Sequence, residues 1–351
     1  MWSTNTMKTL FAALVLLLTG ANAQAESGFV KLPAGHALYV DYQAARPGKP
    51  TLVLVNGLVY SLDRWNKLAA PFAQAGYGIL RYNFRGQAAT LRQELKTGTP
   101  EFYSSGISRE DFALELSELM AALKLPKATI VGLSYGAGIA AEFGERFPQK
   151  VDRLVFLAPL VVPLDKYDAN GAWIHSNLDV LKFYWGPLWG PYVYDYYYNM
   201  IFRSYLKSRL VPERIPSDMA DIPEDYKEAI FHQVRAMRDF DLRTYEFSKL
   251  NGRVHLMLAS EEETPALRDQ FLAWKNFGPA QGSLVYLSPS THAIPDAEGA
   301  LAAEFIAKMI AGDPAFTKGR AYYAPVRGGL RAIVPHTPAQ LEERAMGERR
   351  D

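Results

Sequence analysis

The sequence predicts an α/β protein, a mostly parallel central sheet with helices on both faces. Three observations predict it. Short apolar runs recur along the chain and end in turn residues, as buried strands do. Helical patterns fall between these runs, the alternation expected of a parallel sheet covered on both sides. Hydrophobic residues make up 49% of a 351-residue chain that is only 21% charged, enough for a large core.

Ala37–Gln43 alternates in polarity and reads as a hairpin strand near the start. Thr51–Asn56 (TLVLVN) runs into Gly57, and Gly78–Asn83 (GILRYN) into Phe84-Arg85-Gly86. Ala128–Gly132 (ATIVG) runs into Leu133-Ser134, and Arg153–Ala158 ends at Pro159. Arg253–Ser260 ends in three glutamates, and Gly282–Ser288 leads towards His292. Helical patterns cover Asp63–Ala75, Ser108–Leu123, Tyr135–Phe147 and Ala297–Ile310. Ser108 and Asp111 suit the first turn of the second of these.

One stretch breaks the alternation. Residues 161–249 contain no clear strand and carry a dense aromatic run from Trp173 to Tyr205. They read as a helical insertion between two core strands. Such rings either line an apolar pocket or pack the insertion onto the body. Beyond Gly312 the chain is richer in Gly, Pro and Arg, and its charged end is expected to be partly mobile.

At the N-terminus, Lys8 precedes the apolar run Leu10–Leu18 and the small-residue stretch Ala21-Asn22-Ala23-Gln24-Ala25. That is the pattern of a secretory signal, and the run falls short of the roughly 20 residues that span a bilayer. The expectation is an exported protein, periplasmic or extracellular, with no stable membrane span once the signal is removed. The chain has no cysteine, so an exported fold must rest on its core, and a thiol nucleophile is excluded. A net charge of +1 leaves no electrostatic footprint for nucleic acid. Oligomeric state is not encoded in any pattern found.

Gly132-Leu133-Ser134-Tyr135-Gly136 matches G-x-S-x-G, between an apolar strand and a helix. That context suits a nucleophile elbow, whose tight turn needs small residues at Gly132 and Gly136 and lifts the serine above the sheet edge. A serine hydroxyl is a weak nucleophile and needs a base. Of six histidines, His36 precedes the serine, His175 and His232 lie in the insertion, His255 sits inside a strand and His336 lies in the tail. His292 follows the last strand of the run, where chain order serine, acid, histidine places the base.

An acid should orient that base from the loop after the preceding strand, Ser260-Glu261-Glu262-Glu263. Glu263 is the first candidate and Glu262 the second. An oxyanion hole needs two backbone N–H donors, for which Tyr135 and Leu58 are placed, with Asn56 and Gly57 supporting the loop.

From Thr51 to Ile310 the chain resembles the single-cap α/β-hydrolase family, which includes esterases, lipases and prolyl aminopeptidases. The resemblance rests on Asn56-Gly57, on Asn83-Phe84-Arg85-Gly86-Gln87, on GLSYG, on Phe147-Pro148 with Ala158-Pro159, and on Ser290-Thr291-His292-Ala293-Ile294-Pro295. Asn56 stands where the family usually has histidine, and glutamate where aspartate is the commoner acid.

The resemblance implies an α/β-hydrolase core over 26–160 and 250–312, after a signal at 1–25. It implies a cap over 161–249, inserted after the sixth strand, and an extension over 313–351. It further implies hydrolysis of a small carboxylic ester through an acyl-enzyme, with no metal or organic cofactor. A peptidase using cap acids such as Asp221, Glu224, Asp225 and Glu228, a lactonase, and a non-catalytic binding protein on the same fold are the alternatives.

Overall fold

The computed structural model describes residues 25–163, 173, 177, 224–261 and 267–348. Its strands are β1 (Ala25–Lys31), β2 (Ala37–Gln43), β3 (Thr51–Val55), β4 (Gly78–Asn83) and β5 (Ala128–Leu133). They continue with β6 (Val151–Leu157), β7 (Val254–Ala259), β8 (Ser283–Ser288), β9 (Arg320–Pro325) and β10 (Val334–His336). Among the described residues these form one sheet in the order β1-β2-β4-β3-β5-β6-β7-β8-β9-β10. The pairs from β4 through β9 are parallel. The β1–β2, β2–β4 and β9–β10 pairs are antiparallel.

The central strands are apolar runs because both of their faces are covered. Every residue of β3, β5 and β7 is buried. By contrast, β2 buries Leu38 and Val40 and leaves their neighbours half-exposed, which is why it alternates.

The helices are α1 (Asn66–Gln74), α2 (Ala88–Thr97), α3 (Phe102–Ser105), α4 (Arg109–Ala122) and α5 (Tyr135–Arg146). Beyond the insertion come α6 (Glu224–Ala236), α7 (Leu267–Gln281), α8 (Ile294–Ala297), α9 (Gly299–Ala311) and α10 (Pro338–Gly347). One face of the sheet packs on α1 and α9 through Leu68, Phe72, Ala302, Phe305 and Ile306. The other packs on α4, α5, α6, α7 and α10 through residues such as Phe112, Ile139, Phe231, Trp274 and Leu341.

The start of α4 is fixed as its sequence implies. Ser108 Oγ accepts from the Asp111 N–H at 3.2 Å and Asp111 accepts from the Ser108 N–H at 2.8 Å. A box of this kind stabilises a helix by about 1 kcal/mol.

The insertion lies between β6 and β7. Its entry and exit are tied by a backbone bond, Leu242 N–H to Val161 O at 2.8 Å. Among its described residues are α6 and no strand. Most of the aromatic run lies outside the described residues, as does the segment read as an export signal up to residue 24.

The segment set apart in the sequence as an extension adds to the sheet. It supplies β9, β10 and α10, and α10 buries Leu341 and Ala345 against the core. Glu348 at its end accepts from the Tyr286 hydroxyl at 3.1 Å and the Ser288 hydroxyl at 3.0 Å, so it anchors back onto β8. No described helix is long and apolar enough to cross a membrane.

Candidate active site

The site gathers at the carboxyl edge of the parallel strands. β5 ends at Leu133, and Ser134 turns the chain into α5 with φ 53° and ψ −115°. A non-glycine residue there costs about 1–3 kcal/mol and persists only when its surroundings fix it. They do so on both sides: the Ser134 N–H donates to Leu157 O at 3.0 Å, and the Ser134 carbonyl accepts from Ala137 and Leu160, each at 3.0 Å.

The two flanking glycines are demanded by space. A Cβ on Gly132 would stand 2.5 Å from Gly136 O and 2.7 Å from Ala137 Cα. A Cβ on Gly136 would stand 2.3 Å from the carbonyl oxygens of both Val55 and Asn56. The second contact matters for function, because it brings the elbow against the loop that follows β3. Gly57 completes the contact, its Cβ direction meeting Leu133 O at 3.5 Å. The elbow that carries Ser134 and Tyr135 thus lies against Asn56 and Gly57, the residues that lead into Leu58.

That loop is held from below. Asn56 is fully buried. Its oxygen accepts from the Trp65 indole at 2.7 Å, and its Nδ2 donates to Gln87 Oε1 at 3.3 Å. Gln87 Nε2 donates to Gly57 O at 2.8 Å. Asn56 is therefore fixed at both ends of its amide beside the loop after β3. The roles of Trp65 and Gln87 were not read from the sequence. Gln87 stood inside the quoted Asn83–Gln87 stretch, whereas Trp65 gave no local signal.

Tyr135 is buried, its ring stacked on Phe84 at 5.6 Å, and its hydroxyl donates to Gln233 O in α6 at 2.6 Å. Burial, reinforced by the Glu115 carboxylate, holds its phenol well above the ordinary range, so it is a neutral donor. Gln233 also donates to Arg85 O at 3.0 Å, and Tyr226 of the same helix donates to Ala88 O at 3.1 Å. Thus α6 grips both the elbow helix and the loop after β4.

His292 is half-buried on the loop between β8 and α8, and its carbonyl accepts from the Ile294 N–H at 3.0 Å. Three strand steps separate β8 from β5, roughly 14 Å at sheet spacing. This loop is stitched to the end of β7: Ser290 N–H donates to Ser260 Oγ at 3.0 Å, and Glu261 N–H to Ser290 O at 2.8 Å. The loop that carries the acid candidates therefore starts beside the histidine loop. Glu262 and Glu263 themselves lie outside the described residues.

The other histidines have structural places. His255 is buried in β7 and bonds Ser283 Oγ at 2.9 Å, and burial lowers its pKa to about 3, with Arg153 adding to the effect. It stays neutral at working pH, the packed histidine its position implied. His36 lies 3.2 Å from Glu115. His232 is buried in α6, its ring stacked on Tyr103 at 5.5 Å. His336 is at the β10 edge, and His175 lies outside the described residues.

Of the cap acids that a peptidase would use, Asp221 lies outside the described residues and Glu228 sits 3.9 Å from His232. No cluster of metal-ligating side chains occurs among the described residues.

Comparison with known proteins agrees with this architecture. Residues 50–184 match the family described as the α/β hydrolase fold. A putative non-heme chloroperoxidase of Synechocystis is 30% identical over 130 residues, 37% of this chain and 43% of that protein. The match thus spans less than half of that relative's length. Among solved structures, an enol-lactonase from Burkholderia xenovorans superposes with a TM-score of 0.59 at 16% identity, covering 81% of this chain and all of the other. An esterase from Exiguobacterium antarcticum gives 0.58 at 16% identity, covering 82% and 100%. The chain has the α/β-hydrolase fold.

Proposed function

We propose that the chain is a serine hydrolase that cleaves a carboxylic ester with an apolar acyl or aryl group. The observation that carries the reading is Ser134 itself. It is a non-glycine residue held at φ 53° between β5 and α5, against the loop that bears Leu58. Such strain at a strand-to-helix turn exposes a nucleophile and sets the following N–H groups behind it.

In this reading Ser134 attacks the ester carbonyl while His292 takes its proton. Glu263, or Glu262 in its place, orients the imidazole and balances its charge. The N–H groups of Tyr135 and Leu58 stabilise the tetrahedral oxyanion, and collapse expels the alcohol with the proton that His292 returns. Water, deprotonated by His292, then cleaves the acyl-enzyme and frees Ser134. Every atom is supplied by substrate, water and these residues. The export signal over 1–25 belongs to the same proposal.

The test uses protein recovered from the native host, whose N-terminus reports whether the signal was cut. Chromogenic esters of short and medium acyl length should be turned over, and a fluorophosphonate should label Ser134. Ser134→Ala should lose the activity by at least about 10³-fold. Of Glu262→Ala and Glu263→Ala, one should fall far more than the other. Absence of both turnover and labelling would remove the acyl-enzyme reading.

A further inference from the structure

Asn56, Trp65 and Gln87 are all buried, and their bonds form a line with a defined direction. An indole N–H can only donate, so the atom of Asn56 that faces Trp65 is its oxygen. Its nitrogen therefore faces Gln87, whose oxygen must accept. The Gln87 nitrogen is then left to face Gly57 O, a group that can only accept. Both amides are oriented from both ends of the line, with no freedom to flip.

The last bond acts on a peptide plane. In a trans peptide the carbonyl and the next N–H point in opposite directions. Gly57 O is turned towards Gln87, and it also accepts from the Tyr60 N–H at 3.3 Å. The N–H of Leu58, on the same plane, is therefore aimed to the opposite side. The next residue, Val59, has φ 53°, a left-handed value that is strained for a β-branched side chain and is kept only where neighbours fix the loop. Buried polar groups must be fully bonded to avoid a penalty, and Asn56, Trp65 and Gln87 meet that need by bonding one another and the loop.

We propose that Gln87 is a positioning residue: as the last member of a one-way relay from Trp65 through Asn56, it fixes the Gly57–Leu58 peptide plane so that the Leu58 N–H meets the oxyanion. This inference rests on the acyl-enzyme reading.

The experiment compares the full chain with Gln87→Met and Gln87→Glu, using ester kinetics, fluorophosphonate labelling of Ser134 and near-ultraviolet circular dichroism. Methionine fills the space without bonding. It should lower kcat by about 10- to 100-fold, somewhat less than removal of a whole oxyanion donor, with KM within about threefold. The introduced carboxyl of Gln87→Glu matches the amide in shape. Protonated, it accepts from Asn56 and donates to Gly57; ionised, it donates nothing and repels the carbonyl. Its kcat should therefore fall as pH rises, a descending limb that the parent lacks.

Parental kcat in Gln87→Met overturns the proposal. So does a parental pH profile in Gln87→Glu, which would assign any loss to packing alone. If Gln87→Met does not fold, the Gln87→Glu profile decides. A parent chain that neither turns over esters nor labels at Ser134 removes the underlying reading instead, and the inference with it.

Discussion

Ser134 holds a strained backbone torsion pair, φ 53° and ψ −115°. Glycine occupies φ 53° without penalty, although it loses about 0.5–1 kcal/mol through the entropy of the unfolded chain. Relief of about 1–3 kcal/mol of strain outweighs that loss. Ser134→Gly should therefore be more stable than Ser134→Ala by about 1 kcal/mol, measured by urea unfolding, while both are inactive. Equal stabilities would mean that the left-handed turn stores no strain. The tight turn at Ser134 and its two glycines was legible because it depends on local pattern, while His292 was nominated by chain order alone. Gln87 and Trp65 were not legible. Their partner Asn56 lies 31 and 9 residues away, and only the folded sheet brings the three together.

At the scale of elements, the strands that the sequence displayed were the doubly buried ones. Their apolar runs are unbroken, and Gly78–Asn83 and Ala37–Gln43 match strand for strand. The elements it hid have weaker signals. β1 (AESGFVK) is an edge strand with a central glycine and an exposed Phe29. α2 starts without a side-chain cap and buries only Thr90 and Leu91. β9 ends in proline, and α7 contains Gly278 and Pro279 near its end.

The expected helix over Asp63–Ala75 is a short 3₁₀ turn, Leu62–Trp65, leading into α1. Contacts between elements were equally hidden, and the grip of α6 on the elbow is one of them. Tyr135→Phe deletes the hydroxyl that serves Gln233 O and leaves a buried carbonyl without that donor. Thermal and urea unfolding should show a loss of about 1–2 kcal/mol. No loss would mean that α6 is held by packing alone.

Across the whole molecule, one carboxyl is shifted strongly upwards, in a half-buried group of charges beside β4. Arg85 pairs with Glu115 at 2.6 Å. Glu94 is pushed up to about 7, chiefly by burial, with Glu115 raising it further against the opposing pull of Arg85 and His36. The folded chain therefore binds this proton more tightly than the unfolded chain, whose glutamate titrates at the ordinary 4.5. The stabilisation is complete below 4.5, is lost as pH rises to about 7, and changes little above. Glu94→Gln keeps a neutral side chain throughout. Its melting temperature should match the parent's near pH 4 and exceed it at pH 8. A constant difference across that range would remove Glu94 as the source.

The bond between Val161 and Leu242 joins the two ends of the insertion. An insertion closed in this way is a branch of the chain whose length the sheet order does not dictate. Doubling such a branch adds only about 0.6 kcal/mol of closure entropy. Selection can therefore lengthen, shorten or exchange the part ahead of α6 while the parallel strands keep their register.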